Sequence, residues 1–208
     1  MLVATTFVAS MTHAQSFTDG RLSIRGGLNF TNANITYGMA TIDAKSKAGF
    51  HLGVSYDLPI SKNLPLSLET GLYATTKGWK FKEDFWDGRY SGDMKTNLFY
   101  LQIPVLVGYT FTLTENFQLK PFAGFTLNYG VSGKEKIDGL SVSVFKKDED
   151  GNPYMKRGDI GFKIGVGANI FSTYYLGLGY EFGVMNATKE DDSKIKNSCF
   201  SLSVGYNF

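Results

Sequence analysis

Large apolar residues alternate with small or polar residues in the last part of this chain. The apolar set is Phe200, Leu202, Val204, Tyr206 and Phe208, and the set between them is Ser201, Ser203, Gly205 and Asn207. Strict alternation predicts a β-strand whose two faces meet different surroundings. Because the final residue is itself aromatic, we expect this strand to run to the last position.

Seven further segments show the same alternation. They cover residues 22–30, 50–58, 66–74, 99–111, 117–129, 160–170 and 176–184. With the terminal segment they predict eight strands. Pro104 lies inside the fourth of them and has no amide hydrogen for a ladder, so we expect a bulge or a gap in strand pairing there.

The connections between these strands also alternate in length. Short ones follow the second, fourth and sixth strands. Long charged ones follow the first, third, fifth and seventh strands, at residues 31–47, 77–97, 132–157 and 186–196. Short turns on one side and long loops on the other are typical of bacterial outer-membrane barrels, whose short turns lie in the periplasm. The pattern therefore predicts an all-β, eight-stranded antiparallel up-and-down transmembrane β-barrel in the outer membrane, in contact with its lipid and monomeric.

Alternation alone does not say which face meets what. A soluble, lipocalin-like ligand-binding barrel has the same pattern with its apolar face lining a cavity. Here the polar set is rich in Gly and Ser and carries both signs of charge, which suits a narrow interior where charges need partners. We therefore predict a lumen polar network of Arg25, His51, Asp57, Glu69, Lys120, Lys163 and Glu181. An eight-stranded barrel is filled by its own side chains, so we expect no open pore.

Composition agrees with one β-rich domain. The chain has 208 residues, with 24 Gly and 15% aromatic residues, and a formal net charge of +2. No basic stripe indicates nucleic-acid binding. Residues 1–14 resemble a truncated signal peptide that ends in Thr12-His13-Ala14, so we expect a single barrel domain over residues 15–208. Cys199 is the only cysteine and is expected to be a small buried packing residue.

Several strands resemble a known family. The segment Tyr100-Leu101-Gln102-Ile103-Pro104 is similar to the aromatic-Leu-x-Ile-Pro strand of the Bacteroidetes outer-membrane β-barrel proteins, known as porin-family or PorT-like. Pro121-Phe122-Ala123-Gly124, Asp159-Ile160-Gly161 and Leu176-Gly177-Leu178-Gly179-Tyr180 extend the resemblance over residues 17–208. It implies the fold, the membrane and a C-terminal signal, Tyr206 and Phe208, for the barrel assembly machinery during insertion. It does not imply an activity.

The sequence contains few residues that suggest catalysis or metal binding. A lipid-A-modifying barrel enzyme would need a base beside a nucleophile, and His51 is the candidate base. Ser55 is on the same face but about 13 Å away along the strand, so the two cannot pair. Asp148-Glu149-Asp150-Gly151-Asn152 lacks the full spacing of a calcium loop. We expect no catalytic residues, no metal and no cofactor.

The second long connection is rich in aromatic residues, namely Trp79, Phe81, Phe85, Trp86 and Tyr90. Such a set is typical of the aromatic girdle of a membrane barrel. Aromatic residues among charges are also what the centre of a binding interface uses. We therefore expect an interaction or structural module whose outer loops contact a protein or glycan ligand, with these five residues as the candidate contact surface.

Overall fold

The computed structural model describes residues 20–37, 40–43, 45–61, 63–81, 94–137, 140–146, 155–185 and 193–208. These residues form eleven strands: β1 (Arg21–Tyr37), β2 (Ala40–Asp43), β3 (Lys45–Pro59), β4 (Leu66–Phe81), β5 (Met94–Tyr109), β6 (Phe111–Thr114), β7 (Phe117–Ile137), β8 (Leu140–Ser143), β9 (Gly158–Ile170), β10 (Tyr174–Gly183) and β11 (Ser193–Asn207). Residues 1–14, the predicted signal peptide, lie outside the described residues.

The eight long strands close into one antiparallel barrel. Around the wall they follow the order β1, β3, β4, β5, β7, β9, β10 and β11, and β11 pairs with β1. The short strands β2, β6 and β8 fold back on β1 and β7. The predicted eight-stranded up-and-down barrel is confirmed. We call the end that carries the connections β3–β4, β5–β7 and β9–β10 the turn rim, and the opposite end the loop rim.

Side chains alternate between the interior and the outer surface along each strand. In β10, for example, Tyr175 and Glu181 are buried, whereas Leu176, Leu178 and Phe182 are exposed. Exposed apolar residues of this kind surround the barrel, and a continuous apolar surface of that extent is not stable in water. Burial thus shows that the polar set faces inward and that the apolar set faces outward, where lipid can cover it. This arrangement is the reverse of a lipocalin, so the soluble ligand-binding alternative was wrong.

Aromatic pairs mark both edges of the apolar surface. Near the turn rim the rings of Tyr109 and Phe111 are 4.7 Å apart, and Tyr206 lies 5.1 Å from Phe208. Toward the loop rim the rings of Tyr180 and Phe182 are 4.6 Å apart. Two such girdles are typical of membrane barrels. Among the described residues, no helix is long and apolar enough to cross a membrane.

The wall is taller at the loop rim than predicted. β4 continues to Phe81, β5 begins at Met94 and β7 continues to Ile137. The sequence had placed 77–97 and 132–157 in connections. The reason is that the character of the two faces changes here: apolar Trp79 and Leu98 face inward, and Lys80 and Lys136 face outward. A search for strands with polar residues on the inner face and apolar residues on the outer face does not find strand segments in which these faces are exchanged.

Two irregularities affect the ladders at Pro104 and at the β9–β10 turn. No pairing joins Pro104 to Gly71 across β4 and β5, although the register is unchanged on both sides. The predicted irregularity is thus a gap rather than a bulge. In the turn, Phe171 and Ser172 have φ of 52° and 59°, and the Thr173 amide donates to the Ile170 carbonyl at 3.2 Å. Positive φ at both central residues of this turn, within a three-residue connection, matches the right-handed twist of the strands.

Candidate functional site

A group of four charged side chains fills the interior nearest the turn rim. Arg25 Nη1 donates to Glu69 Oε1 at 2.6 Å, and Lys120 Nζ donates to Glu69 Oε2 at 3.0 Å and to Asp57 Oδ2 at 2.5 Å. The Arg25 guanidinium also stacks 3.7 Å from the ring centre of Tyr175. Two cations and two carboxylates balance one another, as buried charges must. We call these four charged residues the Glu69 cluster.

A second buried ion pair lies further toward the loop rim. Lys77 Nζ donates to Glu181 Oε1 at 2.5 Å, and Gln102 Nε2 donates to Glu181 Oε2 at 2.9 Å and to Asn128 Oδ1 at 2.7 Å. The sequence reasoning missed Lys77 because it ended the strand at residue 74 and assigned residue 77 to the connection that follows. Continuing the inward set beyond Thr75 by two positions would have found it.

His51 lies between these two ion-pair groups. Its Nδ1–H donates to Asn29 Oδ1 at 2.9 Å, and its Nε2 accepts from the Ser203 hydroxyl at 3.0 Å. Asn29 Nδ2 in turn donates to the Thr75 hydroxyl at 2.8 Å. The sequence reasoning did not find Ser203, because the contact joins strands that are 152 positions apart.

The remaining space in the interior is small. A cavity of about 40 Å³ is lined by residues of both ion-pair groups, by His51 and Ser203, and by Lys163. That volume holds only a few water molecules. The structure thus places all seven predicted network residues in the interior, but it joins Arg25, Asp57, Glu69 and Lys120 in one cluster and leaves Glu181 in another.

An apolar cluster closes the interior below the loop rim. It contains Trp79, Leu98, Tyr100, Val144, Phe145 and Met155, and we call it the plug. The first three come from the wall, and the last three come from residues 144–146 and 155–157, the described parts of the chain between β8 and β9. The Val144 amide donates to the Gly133 carbonyl at 3.1 Å, and the Met155 amide donates to the Val144 carbonyl at 3.1 Å.

Two glycines of β7 make room for the plug. A Cβ at Gly130 would lie 2.4 Å from Phe145 Cζ, and one at Gly133 would lie 2.4 Å from Val144 Cγ2. Phe145 also packs edge-on to Tyr100, with ring centres 6.4 Å apart. Small residues at these two positions therefore let the Phe145 ring enter the barrel.

The plug corrects one predicted contact residue. Trp79 is only 2% exposed and lies within β4, so the prediction that it belongs to a surface for partners was wrong. Its ring is needed to fill the barrel mouth. Phe81 is the last residue of β4, and Phe85, Trp86 and Tyr90 lie outside the described residues.

The C-terminal aromatics lie on the outer surface at the turn rim. Tyr206 and Phe208 are 47% and 39% exposed, and the Phe208 amide donates to the Leu22 carbonyl at 2.9 Å. Cys199, in the same strand, is buried, as predicted, and its Sγ is 3.7 Å from the Thr31 hydroxyl. Within the described part of the chain, no group of three potential metal ligands is found.

Comparison with protein-family models agrees with this architecture. The family model described as "Outer membrane protein beta-barrel domain" matches residues 13–189. Among solved structures, Ail of Yersinia pestis is 18% identical, with a TM-score of 0.45 over 92% of this chain and 100% of its own. OprG of Pseudomonas aeruginosa is 15% identical, with a TM-score of 0.48 over 93% and 98%.

The outer membrane enzyme PagL is also similar, at 12% identity, with a TM-score of 0.42 over 85% of this chain and 97% of its own. At these identities the likeness concerns the fold alone. No match is found among curated protein sequences. The family model covers most of the chain and agrees with the closed barrel described above. The chain therefore belongs to the outer membrane protein beta-barrel domain family, and it is a protein of the bacterial outer membrane.

Proposed function

We propose that this protein is a monomeric, non-conducting and non-enzymatic barrel that acts through its outer loops as a structural or interaction module. The observation that carries the proposal is the filled interior. Two ion-pair groups and the plug occupy it, and the remaining cavity of about 40 Å³ holds only a few water molecules. A site for a solute or a substrate has no room inside, so function falls to the outer surface.

A conductance measurement tests the non-conducting part of this proposal. An ion crossing the interior would have to pass the buried Lys77–Glu181 pair and then the apolar plug, and an apolar constriction is a barrier to ions. We expect purified protein in planar lipid bilayers to show no stepwise current. Stable, voltage-independent channels in the wild-type protein would contradict the proposal.

A lipid-A-modifying enzyme is the second candidate, and one observation favours it. Ser203, His51 and Asn29 form a hydrogen-bonded chain in the order of a nucleophile, a base and an orienting group. Burial argues against it, because a His51 side chain 8% exposed inside a closed barrel offers no path for an acyl chain. The hydrogen bonds then serve to hold β3, β1 and β11 together.

The non-enzymatic module and the lipid-A-modifying enzyme predict different effects of His51 on the structure of lipid A. We expect lipid A from cells that produce His51→Ala or Ser203→Ala to have the same acyl and phosphate profile as lipid A from cells that produce the wild type. A profile that changes with the wild-type protein and reverts in both variants would establish the enzyme instead.

Partner capture tests the role of the loops. The aromatic residues Trp86 and Tyr90, together with the charges around them, support a contact surface for a protein or glycan. We expect Trp86→Ala to abolish co-purification of a partner from detergent-solubilised outer membrane. Phe111→Ala removes an exposed aromatic ring at the opposite rim and is the control. Equal capture by the two variants would contradict the proposal.

The finer placement of the protein rests on sequence motifs. The segment Tyr100-Leu101-Gln102-Ile103-Pro104 supports a position among the Bacteroidetes porin-family or PorT-like proteins. A role in protein secretion, in adhesion or in envelope maintenance would each be compatible with a closed barrel that displays loops. Identifying the captured partner by mass spectrometry would distinguish these three roles.

A further inference from the structure

A row of lysines crosses four neighbouring strands near the loop rim. Lys45 is the Cα partner of Lys80, Lys80 of Lys95, and Lys95 of Lys136, across β3, β4, β5 and β7. With about 4.8 Å between strands, the row is about 15 Å long. Like charges opposite one another on adjacent strands destabilise a sheet. This register concentrates positive charge on one stretch of the wall, and such a concentration attracts anions.

The row is on the outer surface of the wall. Trp79 and Thr96 are buried in the interior, and because strand side chains alternate, the adjacent Lys80 and Lys95 project outward. The side chains of Lys45, Lys80 and Lys136 are exposed.

Two more lysines join the row. Lys47 Nζ donates to the Thr96 carbonyl at 3.1 Å and contacts the side chain of Asn97, which is the Cα partner of Lys134. We call the six residues Lys45, Lys47, Lys80, Lys95, Lys134 and Lys136 the lysine belt. A groove of about 390 Å³ adjoins the belt on the side of the membrane band, and its lining includes three of the six lysines, Lys47, Lys134 and Lys136, together with Phe50, Asn97 and Phe99. The groove thus has ammonium groups toward the loop rim and aromatic rings toward the apolar band.

The height of the belt agrees with the depth of lipid headgroups. From Tyr109 at the turn rim to Phe99, β5 rises about 34 Å along the strand, or about 26 Å along the barrel axis for a tilt of about 40°. That is close to the apolar band of about 25 Å in membrane barrels. Lys95 lies four residues further on, about 10 Å above Phe99 along the axis. Lipid headgroups occupy roughly 5–7.5 Å beyond the hydrocarbon on each side. The Cα atom of Lys95 therefore lies just above the headgroups, and its long side chain can reach down to them.

We propose that the lysine belt binds the phosphate groups of an anionic, phosphorylated lipid of the outer leaflet, whose acyl chain lies against Phe50 and Phe99. Charge complementarity and depth favour the headgroup, and the aromatic floor favours a lipid over a free phosphate ion. This contact is on the wall of the barrel and does not depend on a partner at the loops.

Native mass spectrometry of the detergent-solubilised protein tests the proposal, with diphosphorylated lipid A as the probe. We expect Lys80→Gln/Lys136→Gln to retain about tenfold less of it than the wild type, since each lysine near a lipid surface contributes to binding. Arginine at the same two positions should restore retention. Removing one phosphate from the lipid should weaken binding to the wild type.

The control is Lys146→Gln/Lys156→Gln, which removes the same charge from the chain beyond β8. It should retain lipid as the wild type does, and the heat-dependent shift in gel mobility should show that every variant is folded. Equal retention by the belt variant and the wild type would overturn the proposal. So would an equal loss in the control, or complete displacement of the lipid by equimolar inorganic phosphate.

Discussion

The barrel wall has two regions with opposite faces. In the membrane band, polar residues such as Glu69 and Gln102 face inward and apolar residues such as Ile103 face outward. Near the loop rim, Trp79 and Leu98 face inward, and Lys80 faces outward. The same strands carry both patterns. The hydrophobic pattern of a strand therefore reflects its surroundings at each height in the membrane. On the outer face, lipid is replaced by headgroups near the loop rim. On the inner face, the polar lumen is replaced by the apolar plug.

The largest expected effect comes from removing the central carboxylate of the band. Glu69→Ala leaves Arg25 and Lys120 buried with one partner too few, and breaking a buried ion pair costs about 3–5 kcal/mol. Equilibrium unfolding by urea in detergent micelles would measure the loss. Asp57→Asn is the control, because Asp57 is 17% exposed at its side chain and its ion pair among the described residues is with Lys120. Equal losses would show that the cluster does not centre on Glu69.

The next effect tests the reversed faces directly, on two adjacent residues. Trp79→Ala removes a buried ring from the plug and should cost about 3 kcal/mol in the same unfolding measurement. Lys80→Ala, one position along, removes an exposed side chain and should change stability by less than about 0.5 kcal/mol. If the two substitutions cost the same, the assignment of faces near the loop rim is incorrect.

The smallest effect on global stability is expected from a substitution in the part of the plug that lies between β8 and β9 and does not belong to the wall. Phe145→Ala should loosen the chain between β8 and β9 while leaving the barrel ladder intact, because local segments can open without global unfolding. We expect maleimide labelling of buried Cys199 to become about tenfold faster, equivalent to about 1.4 kcal/mol of local opening.

Leu140→Ala provides the comparison for this measurement, since Leu140 is 74% exposed on the same hairpin. It should leave the labelling rate unchanged. An unchanged rate in Phe145→Ala as well would mean that the plug does not control access to the interior.

The sequence predicted the membrane band well for a physical reason. Lipid on one side and a filled lumen on the other impose a period of two that is readable in segments such as 160–170. The Glu69 cluster followed from the same pattern, because inward charges in a narrow barrel meet. Alternation does not show which other strand supplies the partner of an inward side chain. The contact between His51 and Ser203 was therefore not predicted.

The loop rim was less predictable. Trp79 was assigned to a connection because a tryptophan in the inward set contradicts the polar pattern of the band, and Lys77, two positions before it, was assigned to the same connection. Val144, Phe145 and Met155 fold into the mouth from a segment without regular alternation. Their burial depends on Gly130 and Gly133 in another part of the chain, and such a match of shapes leaves no periodic signal.

The seam between β1 and β11 has a consequence for the time course of biogenesis. Ser23 Oγ donates to Asn207 Oδ1 at 2.8 Å across 184 positions, so the first strand receives its last neighbour only when the whole chain exists. At about 5–20 residues per second, synthesis of the intervening chain takes about 10–40 s. During that interval one edge of β1 is open to pairing with other chains. The order of strands in the wall therefore makes escort of the unfolded chain to the membrane a requirement of this fold.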